Sequence, residues 1–262
     1  MRKSFSVIHL SDLHFGRIHS NILHDLESFL IQKKNDISLA ILTGDFTQRA
    51  RSQEFKDARE FISSLSCPLF LVPGNHDVPL YNLFLRFLSP YKKFLKYLGP
   101  FAQNYYEDER FAVFGLWTVD NFSVQDGRLS ARDLNLLEER FKNVPEHKIK
   151  IIASHHPLAT LKHKNLSRDL GRVLNVGPHF FLWGHEHKSC VRRFDKDREF
   201  PMVLASGTST SSRTRSEANS FNYMTFMQSE ILVEIFQHSE KLSSFEVISE
   251  TRVPYVETRK SL

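Results

Sequence analysis

A chain of 262 residues with 41% hydrophobic and 25% charged residues has the make-up of an ordinary globular protein and is long enough to bury a sizeable core. Its two cysteines, Cys67 and Cys190, stand far apart, which excludes a disulfide framework and a Cys-rich metal site. The formal net charge of +5 favours phosphate-bearing or anionic partners, but Lys and Arg are dispersed and no aromatic–basic motif accompanies them, so nucleic acid is not the expected partner.

The start, Met1-Arg2-Lys3 and then an apolar run over 5–10, mimics the charged end of a signal peptide. The run is too short for one, and Asp12 and His14 follow with no cleavage-like site. No stretch approaches the roughly 18 apolar residues that cross a bilayer. A soluble cytoplasmic protein is expected. With no repeat and no Gly/Pro-rich linker, 1–262 reads as one domain, with a helical cap-like segment at about 80–106.

In chain order, 5–10 reads as a buried strand, 21–34 as an amphipathic helix and 39–42 as a second strand. Apolar Phe55, Ala58, Phe61, Ile62 and Leu65 recur at 3/4 spacing and predict a helix over 52–65, with Ser52 as its N-cap. A short strand at 69–72 is stopped by Pro73-Gly74. Further strands are expected at 111–116, 149–153 and 179–183, with helices at 131–141 and 167–174. This alternation predicts parallel crossovers in an α/β sheet. After Cys190 short strands follow with little helix, which suggests a second, more antiparallel sheet packed on the first; the polar residues 250–262 read as an edge strand or a tail.

Five short clusters fall where apolar runs stop: Asp12-Leu13-His14, Gly44-Asp45, Gly74-Asn75-His76-Asp77, His155-His156 and Gly184-His185-Glu186-His187. Ligands of open α/β sheets sit beyond the carboxyl ends of strands, so these side chains are expected to converge on one edge. A mixed Asp/Asn/His set suits Mn, Fe or Zn better than Ca or a thiolate-bound metal. The set is too large for one ion, and a carboxylate such as Asp45 can bridge two divalent ions about 3.5–4 Å apart, the spacing used for in-line phosphoryl displacement.

Asp-x-His, Gly-Asp, Gly-Asn-His-Asp, a later His and Gly-His-x-His, in that order, resemble the calcineurin-like metallophosphoesterase superfamily over nearly the whole chain. The resemblance implies a four-layer αββα sandwich, two mixed sheets flanked by helices. It implies that Asp12, His14 and His187 hold one metal, that Asp45 bridges, and that Asn75, His155 and His185 hold the second. It implies a metal-bridging hydroxide as nucleophile. His76 is then the catalytic group that faces substrate and stabilises charge or protonates the leaving oxygen, with Asp77 orienting its ring. His156 lies beside the ligands and is expected to help bind substrate. The Gly44–Ala50 stretch also resembles the protein Ser/Thr phosphatase version of the motif, in which an Arg at the place of Arg49 grips phosphate; Gln48 and Ala50 stand where that version has Asp and Gly.

The Pro-Gly-Asn-His-Asp and His-His-Pro turns look closer to bacterial cyclic-nucleotide and glycerophosphodiester phosphodiesterases, which implies a small phosphodiester or pyrophosphate substrate. A rival resemblance, to UDP-2,3-diacylglucosamine pyrophosphatases of lipid A synthesis, gains weight from the segment 80–106. Its Leu, Phe and Tyr residues, interleaved with Arg86, Lys92, Lys93 and Lys96, read either as a helix face packed on the core or as a cap for an acyl chain or the inner-membrane surface. Some relatives serve as non-catalytic scaffolds after losing ligands; here every ligand position is filled. The basic loop 206–215 either offers Arg213 or Arg215 to an anionic substrate or is merely solvated. The oligomeric state has no signature.

Overall fold

The computed structural model describes residues 4–80, 82–123, 126–161, 166–214 and 217–255. The first strand, β1 (Phe5–Leu10), carries apolar residues on both faces because both are covered: Val7 turns to one side, Ile8 and Leu10 to the other, all fully buried. Crossovers through α1 (Ser20–Lys33) and α2 (Ser52–Ser64) deliver β2 (Ile37–Thr43) and β3 (Leu69–Val72) parallel to it. The chain then runs through α3 (Leu83–Leu88), α4 (Lys92–Leu98), β4 (Tyr105–Glu107), β5 (Phe111–Leu116), α5 (Ala131–Phe141), β6 (Ile149–Ser154), α6 (Leu166–Asn175) and β7 (Phe180–Trp183). It closes with β8 (Cys190–Arg193), β9 (Met202–Ala205), β10 (Ser220–Phe226), β11 (Glu230–Ser239) and β12 (Ser244–Pro254).

Two mixed six-stranded sheets result, ordered β12-β11-β10-β1-β2-β3 and β4-β5-β6-β7-β9-β8. Val7, Leu39, Ile41, Phe70 and Val72 of the first share one buried layer with Val113, Ile151, Phe180 and Leu182 of the second. On the outer faces, α1, α2 and α4 cover Ile8, Leu10 and Leu42, while α5 and α6 cover Phe114, Ile152 and Phe181. This is the expected four-layer αββα sandwich. Burying Leu134, Leu137 and Phe141 of α5 contributes about 1.5–3 kcal/mol each, and the Ser130 hydroxyl caps that helix by accepting from Asp133 N at 3.0 Å.

Some local expectations are corrected. The strands after Cys190 do not form a sheet of their own. β8 and β9 complete the second sheet, while β10 pairs antiparallel with the free edge of β1 and carries β11 and β12 with it. The N-cap of α2 is Arg51, not Ser52; the Glu54 carboxylate accepts from Arg51 N at 3.1 Å and from Arg49 N at 2.8 Å. The cap-like segment is two short helices and a strand, because Ser89 precedes Pro90, which disfavours helical backbone. The edge strand β12 takes in 250–254 of the polar C-terminal stretch, and 256–262 lie outside the described residues. No helix among the described residues is long and apolar enough to cross a membrane.

Candidate metal centre

Because β1, β2 and β3 run parallel, as do β5, β6 and β7, the turns that follow them open on the same edges of their sheets. The two sheets are stitched together there. His185 N donates to Asp12 Oδ2 at 3.0 Å, and the ring of His155 reaches the Thr43 carbonyl at 2.7 Å. The backbone is bent hard to achieve this. Non-glycine residues at positive φ are Asp12 (52°), His14 (52°), Asp45 (55°), Ala50 (50°), His185 (68°), His187 (56°) and Ser243 (49°). Five of them are sequence-predicted metal ligands, and strain of about 1–3 kcal/mol per residue persists only where surrounding contacts enforce it. Glycine makes room: a Cβ on Gly74 would meet Asp45 Oδ1 at 2.2 Å, and one on Gly184 would meet Ser11 Oγ at 1.8 Å.

The side chains so placed form two adjoining groups. Asp12 Oδ1 lies 3.1 Å from His187 Nε2 and 3.6 Å from His14 Nε2, and the two imidazole nitrogens are 3.3 Å apart. On the other side, His155 Nε2 lies 2.9 Å from Asn75 Oδ1 and 3.3 Å from His185 Nδ1, and Asn75 Oδ1 is 3.2 Å from His185 Nδ1. Asp45 stands between them. Its Oδ1 accepts from His76 N at 2.8 Å, and its Oδ2 lies 3.7 Å from His14 Nε2 and 3.4 Å from His155 Nε2.

The orientation of these groups fits a cation. His155 and His187 each donate Nδ1–H to a backbone carbonyl, of Thr43 at 2.7 Å and of Arg213 at 2.8 Å, which turns the Nε2 lone pair inward. Asp12 Oδ2 accepts from Ser11 Oγ at 2.6 Å, while Asp12 Oδ1, aimed at the centre, has no hydrogen-bond donor. Buried lone pairs that face one another need positive charge between them. Electrostatics agree. Burial alone would lower the basicity of His155, yet the Asp45 and Asp12 carboxylates raise it to about 9. His187 is raised against the same burial by Asp12. Burial opposes ionisation of Asp12 and Asp45 too, but the surrounding imidazoles hold both carboxyls below their ordinary range. A potential that would retain a proton on a buried imidazole also attracts a dication.

His76 sits over this centre, its ring 5.0 Å from that of His14. It donates Nδ1–H to the Gln48 carbonyl at 2.7 Å, leaving Nε2 to accept from Arg213 Nη1 at 3.2 Å. The expectation that Asp77 orients this ring is corrected. Asp77 is fully buried and accepts from Gly74 N, Thr47 N and the Thr47 hydroxyl, so it shapes the turn instead. Burial and the nearby Asp45 charge raise its carboxyl to about 7. His156 is buried, with Nδ1 2.8 Å from the Thr118 hydroxyl and an unpartnered Nε2. Burial, then the His155 and His185 charges, push it down to about 2, and its donor atom groups with theirs within 4.8 Å. The Arg49 side chain is exposed and makes no hydrogen bond or ion pair among the described residues. The arginine that reaches the site is Arg213, from the basic loop; Arg215 lies outside the described residues.

Residues 5–189 match the profile of the calcineurin-like phosphoesterases. The chain belongs to that family. It is thereby a metal-dependent phosphoester hydrolase by class. It is 28% identical over 202 residues to a 3',5'-cyclic adenosine monophosphate phosphodiesterase of Escherichia coli, covering 70% of this chain and 69% of that protein. It is 25% identical over 214 residues to a 3',5'-cyclic-nucleotide phosphodiesterase of Nostoc sp., covering 72% and 73%. A glycerophosphodiester phosphodiesterase of Enterobacter lignolyticus is 28% identical over 161 residues, covering 57% and 56%. Among solved structures, a purple acid phosphatase from yellow lupin superposes with a TM-score of 0.66 at 14% identity, covering 98% of this chain and 55% of that one, a likeness of fold.

Proposed function

We propose that the protein hydrolyses small phosphodiesters at a two-metal centre, with cyclic nucleotides and glycerophosphodiesters as the leading substrate class. The observation that carries this reading is the place of Asp45 Oδ2, within 3.7 Å of His14 Nε2 and 3.4 Å of His155 Nε2, so that one carboxylate serves both donor groups. Asp12, His14 and His187 would hold one ion and Asn75, His155 and His185 the other, with Asp45 shared and His156 as a neutral neighbour to the second. When bound, two divalent ions supply positive charge to the phosphoryl oxygens and make water acidic enough to ionise near neutral pH. Mn, Fe and Zn all suit these donors.

The chain's own groups do the rest. Arg213 turns its planar guanidinium to a non-bridging phosphoryl oxygen. His76, fixed through Nδ1 by the Gln48 carbonyl, presents Nε2 to the leaving oxygen; that nitrogen accepts from Arg213, so it must first take up a proton from water, which it then delivers as the P–O bond breaks. The names of the relatives from Escherichia coli, Nostoc and Enterobacter support diester cleavage.

A second reading, cleavage of the pyrophosphate of UDP-2,3-diacylglucosamine, draws on the exposed Phe84, Phe87 and Leu88 that follow the His76 turn. Purified Mn-loaded protein assayed on cyclic AMP, glycerophosphodiesters and UDP-2,3-diacylglucosamine decides between them. Preference for the acylated substrate promotes the second reading. Two bound metals with no turnover of any ester overturn both and leave a scaffold.

A further inference from the structure

The largest exposed apolar side chains of the described residues gather on α3 and the loop after β5. Phe84, Phe87 and Leu88 are 73%, 45% and 65% exposed, and Phe122 is 80% exposed. Phe84, Phe87 and Leu88 recur at i, i+3 and i+4, so they share one helix face. Phe122 joins them edge-to-face, its ring centroid 5.1 Å from that of Phe87. This is a patch, not a scatter of single residues.

The patch is held in place by buried polar structure. Arg86, on the opposite side of α3 and 2% exposed, donates Nε to the Asn121 carbonyl at 2.9 Å and Nη2 to the Asp120 carbonyl at 2.9 Å, with further bonds to the carbonyls of Ser123 and Pro79. Asn82 caps the helix by accepting from Leu85 N at 3.0 Å. Four carbonyls on one buried guanidinium weld helix to loop, so burial of the phenyl rings is not what secures them there. Farther along, α4 splits its residues: Phe94 and Leu98 are fully buried, whereas Lys92, Leu95 and Lys96 share an exposed face at i, i+3 and i+4. The carboxylates of the 120–126 loop are turned onto local donors, Asp120 onto Phe122 N and Asp126 onto the Ser123 hydroxyl.

We propose that this face docks the protein on an anionic lipid bilayer. Phenyl and leucyl side chains enter the headgroup–acyl boundary, and Lys92 and Lys96 meet anionic headgroups beside them. The apolar residues suit a nonpolar medium, and the exposed Lys92 and Lys96, four and eight positions beyond Leu88 on the next helix, favour a negatively charged one. Both arms of the patch start at the metal centre. α3 follows the 75–77 turn, and the 118–123 loop begins at Thr118, whose hydroxyl bonds His156. Docking would therefore set the active edge near the membrane, whichever diester the enzyme cleaves.

The test is co-sedimentation of the full-length protein with phosphatidylcholine vesicles, with and without phosphatidylglycerol, alongside sedimentation-velocity measurement of the protein alone. Binding is expected only to vesicles containing phosphatidylglycerol, and it should weaken as salt rises. Phe84→Ser with Phe87→Ser and Phe122→Ser should weaken it about tenfold or more, as should Lys92→Glu with Lys96→Glu. These exposed positions leave turnover of bis-p-nitrophenyl phosphate as it was, so loss of docking is read separately from loss of the active site. No binding to either vesicle overturns the proposal. So does equal binding to both, or binding that survives both sets of substitutions. A dimer abolished by the Phe→Ser changes would assign the patch to a second copy of the chain and overturn it as well.

Discussion

Arg213 touches both His76 and His187. Its guanidinium donates to His76 Nε2 at 3.2 Å, and its carbonyl accepts from His187 Nδ1 at 2.8 Å. On the proposed reading the side chain would meet a phosphoryl oxygen, while the backbone carbonyl orients the His187 ring whatever side chain stands at 213.

Arg213→Ala should therefore lower kcat/KM for bis-p-nitrophenyl phosphate about 100-fold, the usual cost of one transition-state donor, with metal content unchanged. Arg213→Lys should recover part of the loss. Arg49→Ala, at an exposed side chain, should stay within about threefold of the parent. Parent-like rates for Arg213→Ala would remove Arg213 from the site.

Metal binding should stabilise the fold, because it neutralises carboxylates and lone pairs that are otherwise buried face to face. At a Mn concentration about 100 times Kd, mass action adds about 2.7 kcal/mol per ion, and a chelator removes it. Asp12→Asn with His187→Gln should shrink the Tm rise. A Tm indifferent to Mn and to chelator would contradict the donor geometry.

Two glycines give opposite expectations. In Gly184→Ala the new Cβ would lie 1.8 Å from Ser11 Oγ and 2.4 Å from Asp12 Oδ2, so Asp12 must move. A loss of about 1–3 kcal/mol in urea unfolding, with loss of metal, is expected. Gly171 lies inside α6 with nothing within 4 Å of an added Cβ, so Gly171→Ala should gain about 0.5–1 kcal/mol. A destabilised Gly171→Ala and a tolerated Gly184→Ala would reverse the packing argument.

How far the sequence foretells this arrangement depends on the range of the interactions. Asp12, Asp45, Asn75, His155 and His185 could be read because each directly follows its own apolar strand, and strand direction carries them to one edge. Arg213 was one of two arginines that the basic loop offered, but the sequence could not choose between a site role and a solvated one, since its approach to His76 depends on a loop packed from 137 residues away. Gln48 was unreadable for another reason: it holds His76 with a backbone carbonyl, which carries no side-chain signature, and Asp77 was the obvious but mistaken candidate. The pairing of β10 with β1 joins residues more than 200 positions apart, beyond any local pattern. Segment 80–106 mixed two answers, for Phe94 and Leu98 pack on the core while Phe84 and Leu88 face outward.

Acid sensitivity should arise away from the metal donors as well. His179, whose Nδ1 accepts from Lys150 N at 3.0 Å, is pushed down to about 4 by burial and then by the Lys150 charge. In the unfolded chain it titrates near 6.5, so between about 6.5 and 4 the unfolded state binds the extra proton. Its contribution is therefore intact above pH 6.5 and lost as pH falls toward 4, by no more than about 2 kcal/mol after allowance for partial exposure. His179→Gln keeps an acceptor for Lys150 N but cannot titrate, so its urea midpoint should fall less steeply over that window. Parallel pH profiles for the two proteins would exclude His179 as the source.

The central claim is that Asp45 stands between two ions. Anomalous scattering from crystals grown in Mn tests it most directly. Two peaks about 3.5–4 Å apart are expected, one beside Asp12, His14 and His187, the other beside Asn75, His155 and His185, with an Asp45 oxygen reaching both. A single peak, or two that leave Asp45 bound to neither, would contradict it.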